Sequence, residues 1–272
     1  GRRAGAGLMA GDPYAPPRVV SDLEDCAFYH TMEIPGYGLV EGQWDLRPTV
    51  REYCGRVDFK GKRVLEVGTA SGFVCFHLER EGSEVVAFDL SDREAWDLVP
   101  YAGVDFEDVL AHRREHLRKL NNGWWLTHRA LGSQAKVVYG SVYGVPAEIG
   151  PVDVATFCAV LLHVRDPFQA LFNGCRLARE TVVVTEIVVG DPHADANGVG
   201  GRPAMRFVPD HRVGNPNDTW WFLNPRIVQA WLGVLGFEDS TVTFHTQGGP
   251  IAGQQPFFTV VGRRTKGRAL GD

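Results

Sequence analysis

Short β-branched runs alternate with stretches of helical periodicity along most of this chain, beginning with Val64-Leu65-Glu66-Val67. Unbroken apolar runs describe strands buried on both faces, and the helical spacing between them describes crossovers. The pattern therefore predicts an α/β fold, a parallel sheet covered by helices. Strands are predicted at 63–67, 84–89, 136–139, 153–157 and 181–188, and helices at 71–81, 167–178 and 225–235. The last helix starts at Pro225 and stops before Gly236. The runs 240–244 and 256–261 are separated only by a Gly/Gln/Pro loop, which predicts antiparallel pairing. Two stretches exceed this minimal pattern. Residues 93–135 carry a charged helix near 106–120 and then a short second helix with Trp124-Trp125, together a cap of inserted helices. Residues 190–224, rich in Gly, Pro, Asp and Asn, are too long for a passive connection and are a candidate lid.

Composition narrows the function classes. A formal charge of -5 argues against a broad nucleic-acid surface, since phosphate contacts are carried by Lys and Arg. The five cysteines are scattered and include no Cys-x-x-Cys, which indicates neither a disulfide framework nor a zinc site and suits a reducing cytoplasm. No apolar run approaches the roughly 20 residues that span a bilayer, so a soluble protein without membrane contact is expected. Residues 1–18 are Gly-, Ala-, Pro- and Arg-rich without periodicity, with the first Met at Met9; they read as a disordered, processed end. The organisation expected is an N-terminal extension over 1–35, one catalytic domain over 36–262, and a basic tail over 263–272.

The chemistry concentrates in Glu66-Val67-Gly68-Thr69-Ala70-Ser71-Gly72 and in Asp89, which closes the next apolar run. A dinucleotide loop needs Gly-x-Gly-x-x-Gly, but Ala70 and Phe73 stand where its second and third glycines belong. Glu66, expected at the mouth of the loop, would repel a pyrophosphate and attract the ammonium and sulfonium of S-adenosylmethionine (SAM). Asp89 would accept hydrogen bonds from ribose hydroxyls.

Four segments together resemble one methyltransferase group: Gly42-Gln43-Trp44-Asp45-Leu46-Arg47-Pro48, 61–68, Ala159-Val160-Leu161-Leu162-His163-Val164-Arg165-Asp166-Pro167, and Trp220-Trp221-Phe222 before Pro225. The group is the SAM-dependent family that includes the tRNA wobble-uridine carboxymethyltransferases and their small-molecule relatives, and the likeness runs over 36–262. It implies a Rossmann-like class I methyltransferase sheet whose last strand inserts antiparallel. It also implies a cofactor set of Trp44, Arg47, Glu66, Gly68, Thr69, Gly72, Asp89, Leu90, Ser141, Val142 and Cys158. The chain departs from the family at Gly140-Ser141, where an Asp commonly follows the Gly and holds the adenine amino group. It also lacks the longer N-terminal region and basic surface of the tRNA enzymes, which favours a small or peptide acceptor.

Methyl transfer to most acceptors needs a base near the carboxyl ends of the strands. Glu186, in an apolar strand end, and His163, after the fourth strand, are the candidates, with helix capping as the alternative for His163. Trp44, Trp124, Trp125, Trp220 and Trp221 would either wall a pocket or anchor the extra segments. Arg47 would pair with an anionic group or stay a surface charge. His112 and His116 have metal-ligand spacing, but Arg113, Arg114, Arg118 and Lys119 oppose a divalent ion, and no metal is expected. The expected function is methyl transfer from SAM to a small molecule in specialised metabolism, leaving S-adenosylhomocysteine (SAH). The alternatives are a tRNA wobble-base alkyltransferase and a binding subunit without chemistry.

Overall fold

The computed structural model describes residues 11–94, 96–189, 201–214 and 218–267. A hairpin of β1 (Met32–Ile34) and β2 (Gly38–Val40) precedes the short helix α1 (Val50–Tyr53). There follow β3 (Arg63–Val67), α2 (Phe73–Arg80), β4 (Glu84–Asp89), α3 (Glu107–Leu131), β5 (Lys136–Tyr139), β6 (Val152–Cys158), α4 (Pro167–Cys175) and β7 (Ala178–Ile187). A second hairpin of β8 (Met205–Phe207) and β9 (Trp221–Leu223) leads to α5 (Pro225–Val234), β10 (Asp239–Gln247) and β11 (Gln255–Arg263).

The central sheet has the order β10-β11-β7-β6-β3-β4-β5. Strands β3 to β7 are parallel, while β11 lies between β7 and β10 and is antiparallel to both. This is the Rossmann-like methyltransferase sheet, inserted last strand included. The strand order reverses between β3 and β6, and at such a point the crossover loops diverge and leave a crevice at the carboxyl ends of the strands. Each face of the sheet is sealed by its own core. One face buries Phe157, Leu171, Leu232 and Phe237 under α4 and α5; the other buries Phe76, Leu78, Tyr53 and Trp124 under α1, α2 and α3. Asp166 and Asn224 cap α4 and α5 by accepting from the amides of Gln169 and Ile227, each helix opening on a proline.

Two sequence expectations are corrected. The two helices expected within 93–135 are one, α3, running 25 residues through Asn121-Asn122-Gly123. Poor helix formers are tolerated there because the N-terminal segment crosses the helix at that point. Asn122 Nδ2 donates to the Asp25 carbonyl at 3.0 Å, and a Cβ on Gly123 would stand 2.6 Å from the Ala27 carbonyl oxygen. The disorder expected through Arg18 does not hold for residues 11–18. The Ala15 amide donates to Val137 on edge strand β5 at 2.8 Å, and Arg18 donates to Asn122 Oδ1 at 3.2 Å. Residues 1–10 and 268–272, and parts of the candidate lid at 190–200 and 215–217, lie outside the described residues.

Candidate functional site

The turn after β3 is built around positive φ. Gly68 and Gly72 have φ of 83° and 92°, and between them Ala70 takes 49°, a left-handed value that is costly for a residue with a Cβ. Asp89 at the end of β4 holds this turn. Its Oδ2 accepts the Ala70 amide at 2.6 Å and its Oδ1 accepts the Leu90 amide at 2.7 Å. The carboxyl is half-buried, and burial pushes its pKa up to about 6 while the two amides draw it back. Each oxygen keeps a lone pair for a further donor.

A cavity of about 430 Å³ opens at the carboxyl ends of β3, β4, β5 and β6, within the range of small-molecule sites. Of the residues singled out from the sequence, Gly68, Asp89, Leu90, Ser141, Val142, Cys158 and His163 line it. Ala159, a second non-glycine residue in the left-handed region at φ 56°, borders it beside Val160. The described lining contains the carboxylates of Asp89 and Asp97 and no lysine or arginine. Among the described residues no group of three His, Cys, Asp or Glu side chains stands close enough to hold a metal ion.

Other expected site residues lie elsewhere. Glu66 is beneath the loop, not at its mouth: it is 2% exposed, and burial pushes its acid up to about 8. Thr69 is buried beside it, and Gly72 starts α2 where a Cβ would strike Phe76 and Trp124. Arg47 is exposed and held in a fork by Asp45, at 2.8 and 2.7 Å. Trp44 packs edge-on against Phe257 behind the cavity wall. Glu186 does not line the cavity. It is fully buried, its Oε1 accepts the Leu161 amide at 2.8 Å, and burial raises its acid to about 8. Trp124 and Trp125 are core residues, the first stacked on His128 and the second edge-on to it, and Trp220 and Trp221 anchor residues 218–223, the covering segment, by donating to the carbonyls of Asp97 and Arg165.

His163 does reach the cavity. Its Nδ1 lies 2.5 Å from the Asp218 carbonyl, which can only accept, so the proton sits on Nδ1 and Nε2 keeps its lone pair. Burial lowers its pKa below the ordinary value, which keeps the ring neutral near pH 7.

Several lining residues carried no signal in the sequence. Tyr29 and His30 come from the stretch read as an extension, and Trp96, Asp97 and Tyr143 from connections. The Tyr29 amide donates to Ser71 Oγ at 3.1 Å, and its carbonyl accepts the Trp44 amide at 3.0 Å, which pins its ring in the cavity wall. Asp97 ties the mouth together: it accepts from the Tyr143 hydroxyl and the Arg165 amide and pairs with the Arg165 guanidinium at 3.0 Å.

A family model described as a methyltransferase domain matches residues 44–227, more than half of the sequence. The chain belongs to this methyltransferase family. Among solved structures, the N-terminal domain of EvdMO1, in the presence of SAH and D-fucose, is similar with a TM-score of 0.53 at 20% identity, over 89% of this chain and 92% of that one. A SAM-dependent methyltransferase from Methanosarcina mazei is similar with a TM-score of 0.50 at 14% identity, over 81% of this chain and 98% of that one. At such identities the likeness is one of fold. A comparison with curated proteins finds no match. The methyltransferase match spans the glycine loop, Asp89, the β6 loop with His163 and the covering segment up to α5.

Proposed function

We propose that the chain is a SAM-dependent methyltransferase acting on a small-molecule acceptor of specialised metabolism. The observation that carries this reading is Asp89, bonded to the strained glycine loop at the edge of a cavity whose described lining is aromatic and acidic, without lysine or arginine. A phosphate-bearing cofactor is favoured by cationic donors; a sulfonium with a ribose is favoured by carboxylates and aromatic faces. The residues present fit SAM on those grounds.

SAM supplies a methyl carbon activated by positive sulfur. Asp89 would take the ribose hydroxyls with its remaining lone pairs, and Leu90 and Val142 would flank the adenine with Ser141 as its polar neighbour. Gly68 and Cys158 leave the floor between β3 and β6 clear for the aminoacyl portion. Thr69, Gly72 and the buried Glu66 hold the loop from behind. Electrostatic selection for a cation then comes from Asp89 and the rings of Tyr29 and Trp96. His163 Nε2 would accept the proton that leaves the acceptor, and Tyr29 would orient the acceptor beside it. Trp220, Trp221 and the Asp97–Arg165 pair would exclude water from above.

Titration calorimetry with SAM, SAH and NAD tests the reading. SAM and SAH should bind and NAD should not, and incubation with SAM and a panel of hydroxylated and aromatic acceptors should release SAH. Binding of NAD in place of SAM would overturn it.

A further inference from the structure

Four separate stretches of chain converge on the imidazole of His163. The ring belongs to the loop after β6. The carbonyl that holds its Nδ1 belongs to Asp218, on the segment leading to β9. The Asp218 carboxylate is paired with Arg113 on α3. The Arg113 guanidinium also lies over the indole of Trp96, 4.7 Å from its centroid, and that indole stands 6.2 Å from the His163 ring at 59°. Arg113 thus grips, at once, the residue whose carbonyl orients the base and the ring packed beside the base.

We infer that Arg113 is a positioning residue: through its ion pair with Asp218 and its contact with Trp96 it holds the covering segment so that His163 keeps its proton on Nδ1 and offers Nε2 to the cavity. The inference rests on the reading of His163 as the base. Its physical content is a coupling between the Arg113–Asp218 ion pair and the tautomer. Where the Asp218 carbonyl stands against Nδ1, it admits only one neutral form of the ring. Where that carbonyl is displaced, neither nitrogen is fixed as the donor and the two neutral tautomers exchange. Among the described residues, the charged groups facing the ring are Asp218 from the covering segment and Arg113 from α3. Nearby, Asp97 and Arg165 are engaged with each other.

The test reads the imidazole directly. Long-range proton–nitrogen NMR of the full chain with labelled histidine would assign the His163 signals by their loss in His163→Gln. The wild type should show a single Nδ1–H tautomer. Arg113→Met should show a resolved second tautomer and a titration midpoint moved toward that of free histidine, while Arg113→Lys, which keeps the charge, should restore the single form in part. Should Arg113→Met fail to fold, Asp218→Asn removes the same ion pair from the other side and should likewise show the second tautomer. A single unchanged Nδ1–H tautomer in both variants would overturn the inference. Calorimetry with SAM on the same samples separates this outcome from failure of the functional reading: loss of the tautomer lock with no SAM binding even to the wild type would sink the methyltransferase assignment alone.

Discussion

Glu186, at the end of β7, holds the loop that carries His163 by accepting the Leu161 amide at 2.8 Å. Removing the acceptor leaves a buried amide unsatisfied, which costs about 1–3 kcal/mol, whereas a carboxamide oxygen can take its place. Glu186→Ala should therefore lower the unfolding free energy by about that amount in urea denaturation, and Glu186→Gln by less than half as much. Equal losses would mean that the hydrogen bond is not what Glu186 supplies.

The buried acids also set a pH dependence. Glu66 and Glu186 are raised from 4.5 to about 8 by burial, so across that window the native state holds protons that the unfolded state has released. Stability contributed below the unfolded value is lost as pH rises through the folded one. His30 and His245, lowered to about 3 and about 4, act in the opposite direction, but only until unfolded histidine has lost its proton near pH 6.5. Between about pH 7 and 8.5 the carboxyls dominate. Urea midpoints should fall over that interval in the wild type, and Glu66→Gln and Glu186→Gln should each flatten the slope.

Asp89 serves both loop and ligand. Asn at this position keeps one acceptor for the loop amides but loses the charge offered to the ribose. Asp89→Asn should weaken SAM binding by roughly 10- to 100-fold in calorimetry, the equivalent of a charge-assisted hydrogen bond, and should also cost about 1–3 kcal/mol of stability, because the carboxamide nitrogen faces one of the two loop amides. Unchanged affinity would remove Asp89 from the cofactor site.

Gly68 and Gly36 have the same φ of 83°, but a Cβ on Gly68 would stand 2.3 Å from Val160 Cγ2, while Gly36 has nothing within 4 Å. Alanine at either should cost about 1–2 kcal/mol for its left-handed backbone. Gly68→Ala should lose about 1–3 kcal/mol more, because Val160 must move, and SAM affinity should fall with it. Parallel urea titrations of the two variants isolate the packing contribution from the backbone strain.

The strands at 63–67, 84–89 and 136–139 are found at the boundaries read from sequence, and β10 and β11 pair as expected, because an unbroken apolar run between turns has few other ways to be buried. The Asp89 and glycine-loop pair was equally legible, since chain connectivity alone brings a strand-end acid beside the neighbouring crossover. The continuity of α3 was not, because Asn121-Asn122-Gly123 break a helix by propensity and are rescued by a segment about a hundred residues away along the chain.

What the sequence determined by itself was the alternation of buried strands and crossovers, and with it a site at the carboxyl ends of the strands; the strand order, and so the reversal between β3 and β6, came from the tertiary structure. Which side chains enter that site was decided only by the tertiary structure. Glu66 and Glu186 read as available acids in one dimension, yet in three they face the loops behind the cavity, where burial drives them toward the neutral form. Tyr29, Trp96 and Asp218 carry no motif; they are brought to the site by a crossing segment, a connection and a cover whose placement depends on contacts far apart along the chain. A local pattern encodes which face of an element is apolar, but the identity of the residue opposite a cavity depends on how distant elements pack.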